Sequence, residues 1–136
     1  MISKKKAFSL VEIMISIMVL MATLPALLLG FINYFALNKI TEDFTIATMD
    51  ASRVIEQMRS LSANSLASIT GQDWTAWASN NGCDSLPLEQ VQVTYADMDA
   101  SGDSLDDNPL AVTVSVGWQR SNRMQDLSFA TLITER

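Results

Sequence analysis

The chain has 136 residues, a formal net charge of −6, 49% hydrophobic side chains, one cysteine and no histidine. That length gives one small domain and an accessory segment; the missing histidine removes the commonest general base and metal ligand, and a lone Cys83 forbids an intrachain disulfide. No glycine-rich phosphate loop, nucleophile-elbow pentapeptide or CxxC pair occurs.

Lys4, Lys5 and Lys6 open the chain and oppose its acidic balance; without them six basic side chains face 15 acidic ones. A body of that sign repels nucleic acid, so no nucleic-acid partner is expected. An apolar segment follows. From Ile13 to Ile32 there is no charged residue, only the interruptions Ser16, Thr23, Pro25 and Gly30. As a helix that run measures roughly 30 Å, the hydrocarbon thickness of a bilayer. It exceeds the apolar stretch of a secretory signal peptide, about 7–15 residues, and no small-residue cleavage site of the A-x-A kind follows it. The segment therefore reads as a retained membrane span. By the positive-inside rule the lysines stay cytoplasmic and the acidic body lies outside.

Glu12 sits at the start of this span. A carboxylate at the centre of a membrane helix costs about 2.5–3.5 kcal/mol, and less near the interface. A glutamate reaching for the membrane edge accounts for its tolerance; pairing with a positive charge would recover the cost.

Beyond the span, Phe44, Ala47, Ala51, Val54, Ile55, Met58 and Leu61 follow the spacing of one helical face, with Glu42, Asp43, Asp50, Arg53, Glu56 and Arg59 assigned to other faces. The helix is expected to run unbroken to about residue 64, its stripe packing on a sheet. Residues 65–87 are rich in Ser, Ala, Asn and Gly and read as an irregular connecting loop. Trp74 and Trp77 serve there as anchors against the sheet, the alternative being an exposed aromatic patch. Cys83, within this loop, is read as buried.

After Pro87 the period changes to two. Val91, Val93 and Tyr95 alternate with Gln92, Thr94 and Ala96; Leu110, Val112, Val114, Val116 and Trp118 alternate with Ala111, Thr113, Ser115, Gly117 and Gln119; Leu127, Phe129 and Ile133 follow less strictly. These are three half-buried strands, most simply an antiparallel meander with a short connection at residues 121–123. The expected fold class is α+β: a long helix packed on a small antiparallel sheet.

Between the first two strands lies ADMDASGDSLDDN, with Asp97, Asp99, Asp103, Asp106 and Asp107. Two readings stand. One is a solvated acidic hairpin loop. The other is a calcium loop, because Asp97, Asp99 and Ser101 repeat the first oxygen positions of an EF-hand, with Gly102 for the turn and Asp103 after it. The twelfth position is Asn108, where Asp106 or Asp107 would have to replace the usual bidentate glutamate.

The stretch KKKAFSLVEIMISIMVLMATLPALLLG, within residues 4–35, resembles the leading segment of type IV prepilins and pseudopilins. The shared motif is a short basic leader, a small residue, a hydrophobic residue, three mostly apolar residues, glutamate and an apolar helix. The resemblance implies that a membrane prepilin peptidase cuts between Ala7 and Phe8 and methylates the new amino terminus at Phe8. It gives Glu12 the family's role in docking subunits. Two positions depart from the pattern: Ala7 stands where glycine is usual, and the helix-breaking proline of many major pilins falls at Leu29, with Pro25 nearby instead. By this resemblance residues 1–7 are a removed leader, 8–35 a membrane-spanning and filament-core helix, and 36–136 an extracytoplasmic head that includes the amphipathic half of the helix. The implied function is that of a minor, low-copy type IV pilin, a structural subunit rather than an enzyme. The alternative is a minor pseudopilin of a type II secretion system; a membrane-tethered enzyme or binding domain is disfavoured by the absent histidine and nucleophile motifs. Implied partners are other pilin or pseudopilin subunits, the peptidase, the membrane and the inner-membrane assembly platform. The chain would sit in a bacterial inner membrane before assembly, and in a pilus or periplasmic pseudopilus after it. No cofactor is implied beyond calcium, which some pseudopilins hold in a head loop.

Overall fold

The computed structural model describes residues 9–135 apart from 64, 99–101 and 104–106. In chain order the elements are α1 (Leu10–Ser62), α2 (Ala67–Thr70), α3 (Trp74–Asn80), β1 (Gln90–Ala96), β2 (Leu110–Arg120) and β3 (Arg123–Ile133). Two compact units divide the chain, Met1–Thr41 and Glu42–Arg136, and α1 contributes to both.

In the first unit α1 is exposed at every described position. Its apolar side chains leave no internal core to explain their composition. The helix satisfies its own polar groups. The Ser16 hydroxyl donates to the Glu12 carbonyl at 2.8 Å, Thr23 to the Leu20 carbonyl at 3.3 Å, and Thr41 to the Leu37 carbonyl at 3.1 Å. The same back-bonding recurs farther along α1, from Thr48 to the Phe44 carbonyl and from Ser52 to the Thr48 carbonyl, both at 2.7 Å. Pro25 lies inside α1 and does not end it. The helix also continues past Gly30.

The second unit is the α+β arrangement expected. Three antiparallel strands lie in the order β1-β2-β3. Leu110, Val112, Val114, Val116 and Trp118 of the central strand are all buried, and Val91 joins them from β1. Onto this row α1 lays Ala47, Ala51, Val54 and Met58, each fully buried. The two alanines, one helical turn apart, present short side chains to this core. Phe44 packs edge-on against Trp118, with ring centroids 5.1 Å apart. Cys83 is buried in the same core, as expected.

Two assignments made from spacing alone are corrected. Asp43 and Asp50, placed on outer faces of the helix, are buried on the inner stripe. They continue the series 43, 47, 50, 54, 58, so position outranks side-chain polarity. The Arg120 guanidinium donates to Asp43 Oδ2 at 2.6 Å and brings a countercharge from the end of β2. Residues 65–87, expected to be irregular throughout, contain α2 and α3. Asp73 is the N-cap of α3 and accepts from the Ala76 amide at 3.0 Å, which satisfies a donor that would otherwise be left open. Trp74 is an anchor, as read: it is buried, and its indole N–H donates to the Ile69 carbonyl at 2.9 Å and to the Tyr95 hydroxyl at 3.1 Å. Trp77, half-buried, meets it edge-on at 5.8 Å.

The β2–β3 connection is a two-residue turn, Ser121 and Asn122, with φ of 45° and 66°. Positive φ at both central residues is the twist-matched hairpin turn, and asparagine tolerates it. Arg120 and Arg123 close it.

Replacing Arg120 with Met is expected to leave Asp43 buried without that guanidinium. Breaking a fully buried pair costs about 3–5 kcal/mol; a quarter of the Arg120 side chain is exposed, so the expected loss falls to about 1–3 kcal/mol. Denaturant unfolding of the full chain in micelles, followed by tryptophan fluorescence, measures it. Adding Asp43→Asn to Arg120→Met should recover part of the loss.

Candidate assembly carboxylate and the buried acidic cluster

Glu12 lies in the first turn of α1, among the exposed side chains of Leu10, Val11, Ile13 and Met14. The partial positive charge of a helix N-terminus favours a carboxylate there. The next charged residue along the chain is Lys39. Between them α1 is long and apolar enough to cross a membrane. Lys4, Lys5, Lys6 and the Ala7–Phe8 junction lie outside the described residues.

The aspartate loop is clasped at both ends. Asp97 Oδ2 accepts from the Gly102 amide at 2.8 Å, and Gly102 adopts φ of 92°. Asp107 is buried and its Oδ2 accepts from the Met98 amide at 2.7 Å. Asp103 is exposed. Asp99, Ser101 and Asp106 lie outside the described residues. Among the described residues, no three side chains of ion-ligating type converge to hold a metal.

A second acidic cluster was not anticipated from the sequence. Asp50 on α1, Glu89 just ahead of β1 and Cys83 in the preceding loop meet beside Arg53. The Asp50 carboxylate faces Arg53 at 3.5 Å through Oδ1, while Oδ2 is buried and has no hydrogen-bond donor. Glu89 Oε2 accepts from the Leu86 amide at 2.8 Å; Oε1 is buried and also lacks a donor. The negative charge of Asp50 acts on the Glu89 carboxyl. Burial, above all, pushes the Glu89 carboxyl above the ordinary glutamate range; the Leu86 amide opposes this, and the negative charges of Asp50 and Asp84 reinforce it. Burial first, then Asp50, pushes the Cys83 thiol up to about 11. The spacing that put Asp50 on the stripe was visible in the sequence. Glu89, 39 positions away in a loop, carried no such signal.

No family model, curated protein or solved structure matches the chain.

The raised Glu89 carboxyl fixes the sign of a pH effect. An acid that holds its proton more tightly when folded stabilises the fold at low pH. That contribution is complete below the unfolded value, about 4.3, and disappears as pH rises through the higher folded value. Glu89→Gln is therefore expected to be more stable than wild type at neutral pH, with the gap closing on acidification. Unfolding midpoints of both chains at several pH values check it; a gap independent of pH would contradict the raised Glu89 carboxyl. Cys83, buried and protonated, should resist iodoacetamide at pH 8 in the native chain and react fully once unfolded.

Proposed function

We propose that this chain is a minor subunit of a type IV pilus, inserted in the inner membrane as a single-pass protein and then incorporated into the filament. The observation that carries the reading is the placement of Glu12. It is the one carboxylate in the first turn of an otherwise uncharged, membrane-length helix that continues into a helix packed on an antiparallel meander. A charge in that position adds nothing to insertion and costs free energy if left alone. Pairing with the amino terminus of an adjacent processed subunit, with Phe8 as its first residue, would offset that cost. It would also fix the axial register of neighbours, because the attraction is strong in a low-dielectric surround and falls off when the two charges are misaligned. The run of exposed apolar side chains along the first half of α1 supports residence in hydrocarbon, and the acidic head supports an aqueous, extracytoplasmic setting. Neither the chemistry of the head nor its small size calls for catalysis; the role is structural.

Glu12→Leu is expected to insert into membranes at least as well as wild type and to be cleaved at the same junction, yet to be lost from sheared filaments. Glu12→Asp, one methylene shorter, should fall between. Fractionation of filaments from membranes at native expression level decides it, and equal incorporation of Glu12→Leu would overturn the pairing. The intact mass of the filament-associated protein should correspond to a chain beginning at methylated Phe8; retention of Lys4, Lys5 and Lys6 there would overturn the processing.

A further inference from the structure

β3 is an edge strand with one side unpaired. The turn geometry says which of its residues face that side. In a hairpin closed by a two-residue turn, the flanking pair, Arg120 and Arg123, exchanges both backbone hydrogen bonds. Pairs then alternate along the ladder. Leu127, Phe129, Thr131 and Ile133 therefore bond inward to β2, and Met124, Asp126, Ser128, Ala130 and Leu132 turn their N–H and C=O groups outward. Contacts elsewhere in the sheet agree with this phase. The Gln119 amide donates to the Pro87 carbonyl on the β1 side at 2.8 Å, and the Val91 carbonyl, on the outer side of β1, accepts from the Thr75 hydroxyl at 2.9 Å. The outer edge of β1 is thus covered by α3. Along the outer edge of β3 no backbone group bonds to another described backbone group; among the described residues only the Met124 carbonyl is taken, by the Gln125 side chain at 3.2 Å.

Three further observations mark this edge as a place for another strand. Natural sheets protect long edges with charge, proline or a bulge. β3 has an unbroken register with β2 over its whole length, and residues 127–133, LSFATLI, contain no charge, proline or glycine. The inward row is incompletely covered: Val114 and Val116 are fully buried, whereas their partners Phe129 and Leu127 are only half-buried. Finally, a groove of about 650 Å³ lies between α1 and the end of β3, lined by Glu56, Arg59, Ser60, Leu132, Ile133 and Thr134.

We propose that the outer edge of β3 accepts an extended strand from a different polypeptide, adding a fourth strand to the sheet beside α1. The row of unpaired backbone groups selects a β-strand, since only an extended main chain matches its spacing. The half-buried Leu127 and Phe129 select one with apolar side chains at alternate positions, on the face turned toward α1. A second copy of β3 fits less well: its Asp126 would enter the pairing, and two-fold pairing of β3 with itself would set the two α1 helices in opposite directions.

The test is residue-resolved amide exchange on the full chain in micelles, with a soluble nine-residue probe peptide of Arg followed by four Val-Thr pairs. At saturation the amides of Asp126, Ser128, Ala130 and Leu132 should slow by roughly tenfold, the effect of one hydrogen bond of ordinary net strength. Those of Leu127 and Phe129, already paired, should change little. The same peptide N-methylated at alternate residues should have no effect. Ala130→Pro removes an outward N–H without touching the β2 ladder and should abolish the slowing; Ala130→Lys, which keeps the N–H and adds an edge charge, should weaken it. Absence of slowing at saturating peptide, or an equal effect from the N-methylated peptide, would overturn the proposal. So would outward-amide protection that grows with protein concentration alone, which would assign the edge to a second copy.

Discussion

The second unit is organised by one seam, where the stripe of α1 from Asp43 to Ser62 meets the inward row of β2. Ala47, Ala51, Val54 and Met58 on one side, and Leu110 to Trp118 on the other, bury their side chains together. Burying a side chain of Val, Leu or Met size contributes about 1.5–3 kcal/mol. A seam of this length is therefore the largest favourable contribution available to so small a head. The other elements are arranged by it. β1 and β3 flank the strand that the helix covers, α3 closes the outer edge of β1, and Trp74 pins the loop to Ile69 and Tyr95. At the flanks the cover is thinner: Leu127 and Phe129 on β3 and Val93 and Tyr95 on β1 are half-buried, while Ile133 at the end of β3 is buried.

Two acids in the seam act against burial, and each is handled differently. Asp43 receives a guanidinium from the far end of β2, which ties the entry of the helix to the hairpin. Asp50 has a more exposed arginine one turn along and a second carboxyl, Glu89, beside it. The two carboxyls join the helix to the residue just ahead of β1, beside the loop that holds Cys83. Apolar residues of similar volume would often serve stability as well or better.

Hydroxyls bond back to carbonyls of their own helix turn in both units, Ser16 and Thr23 in the first, Thr48 and Ser52 in the second. In the first unit the apolar side chains are exposed; in the second, the buried Asp43 is matched by Arg120 from the end of β2. Glu12 lies in the first unit, and the next charge along the chain is Lys39. The proposed pairing with a neighbouring subunit would give it a positive partner.

The sequence alone determined those features that depend on near neighbours in the chain. The uncharged run from Ile13 to Ile32, the helical spacing after Phe44 and the period of two in each strand express the solvent each face meets. These set the span, the helix and the meander. The hairpin at Ser121–Asn122 was also legible as a short connection. Tertiary structure decided what depends on positions far apart. Asp43 became an inner residue because Arg120, 77 positions later, returns to it. Asp50 and Glu89 came together only once helix and sheet were packed. α3 formed in a stretch of weak local preference because Asp73 caps it and Trp74 finds a buried site. Local pattern fixes which face of an element is apolar; which polar group lies opposite it is set by packing, and no period in the sequence encodes that.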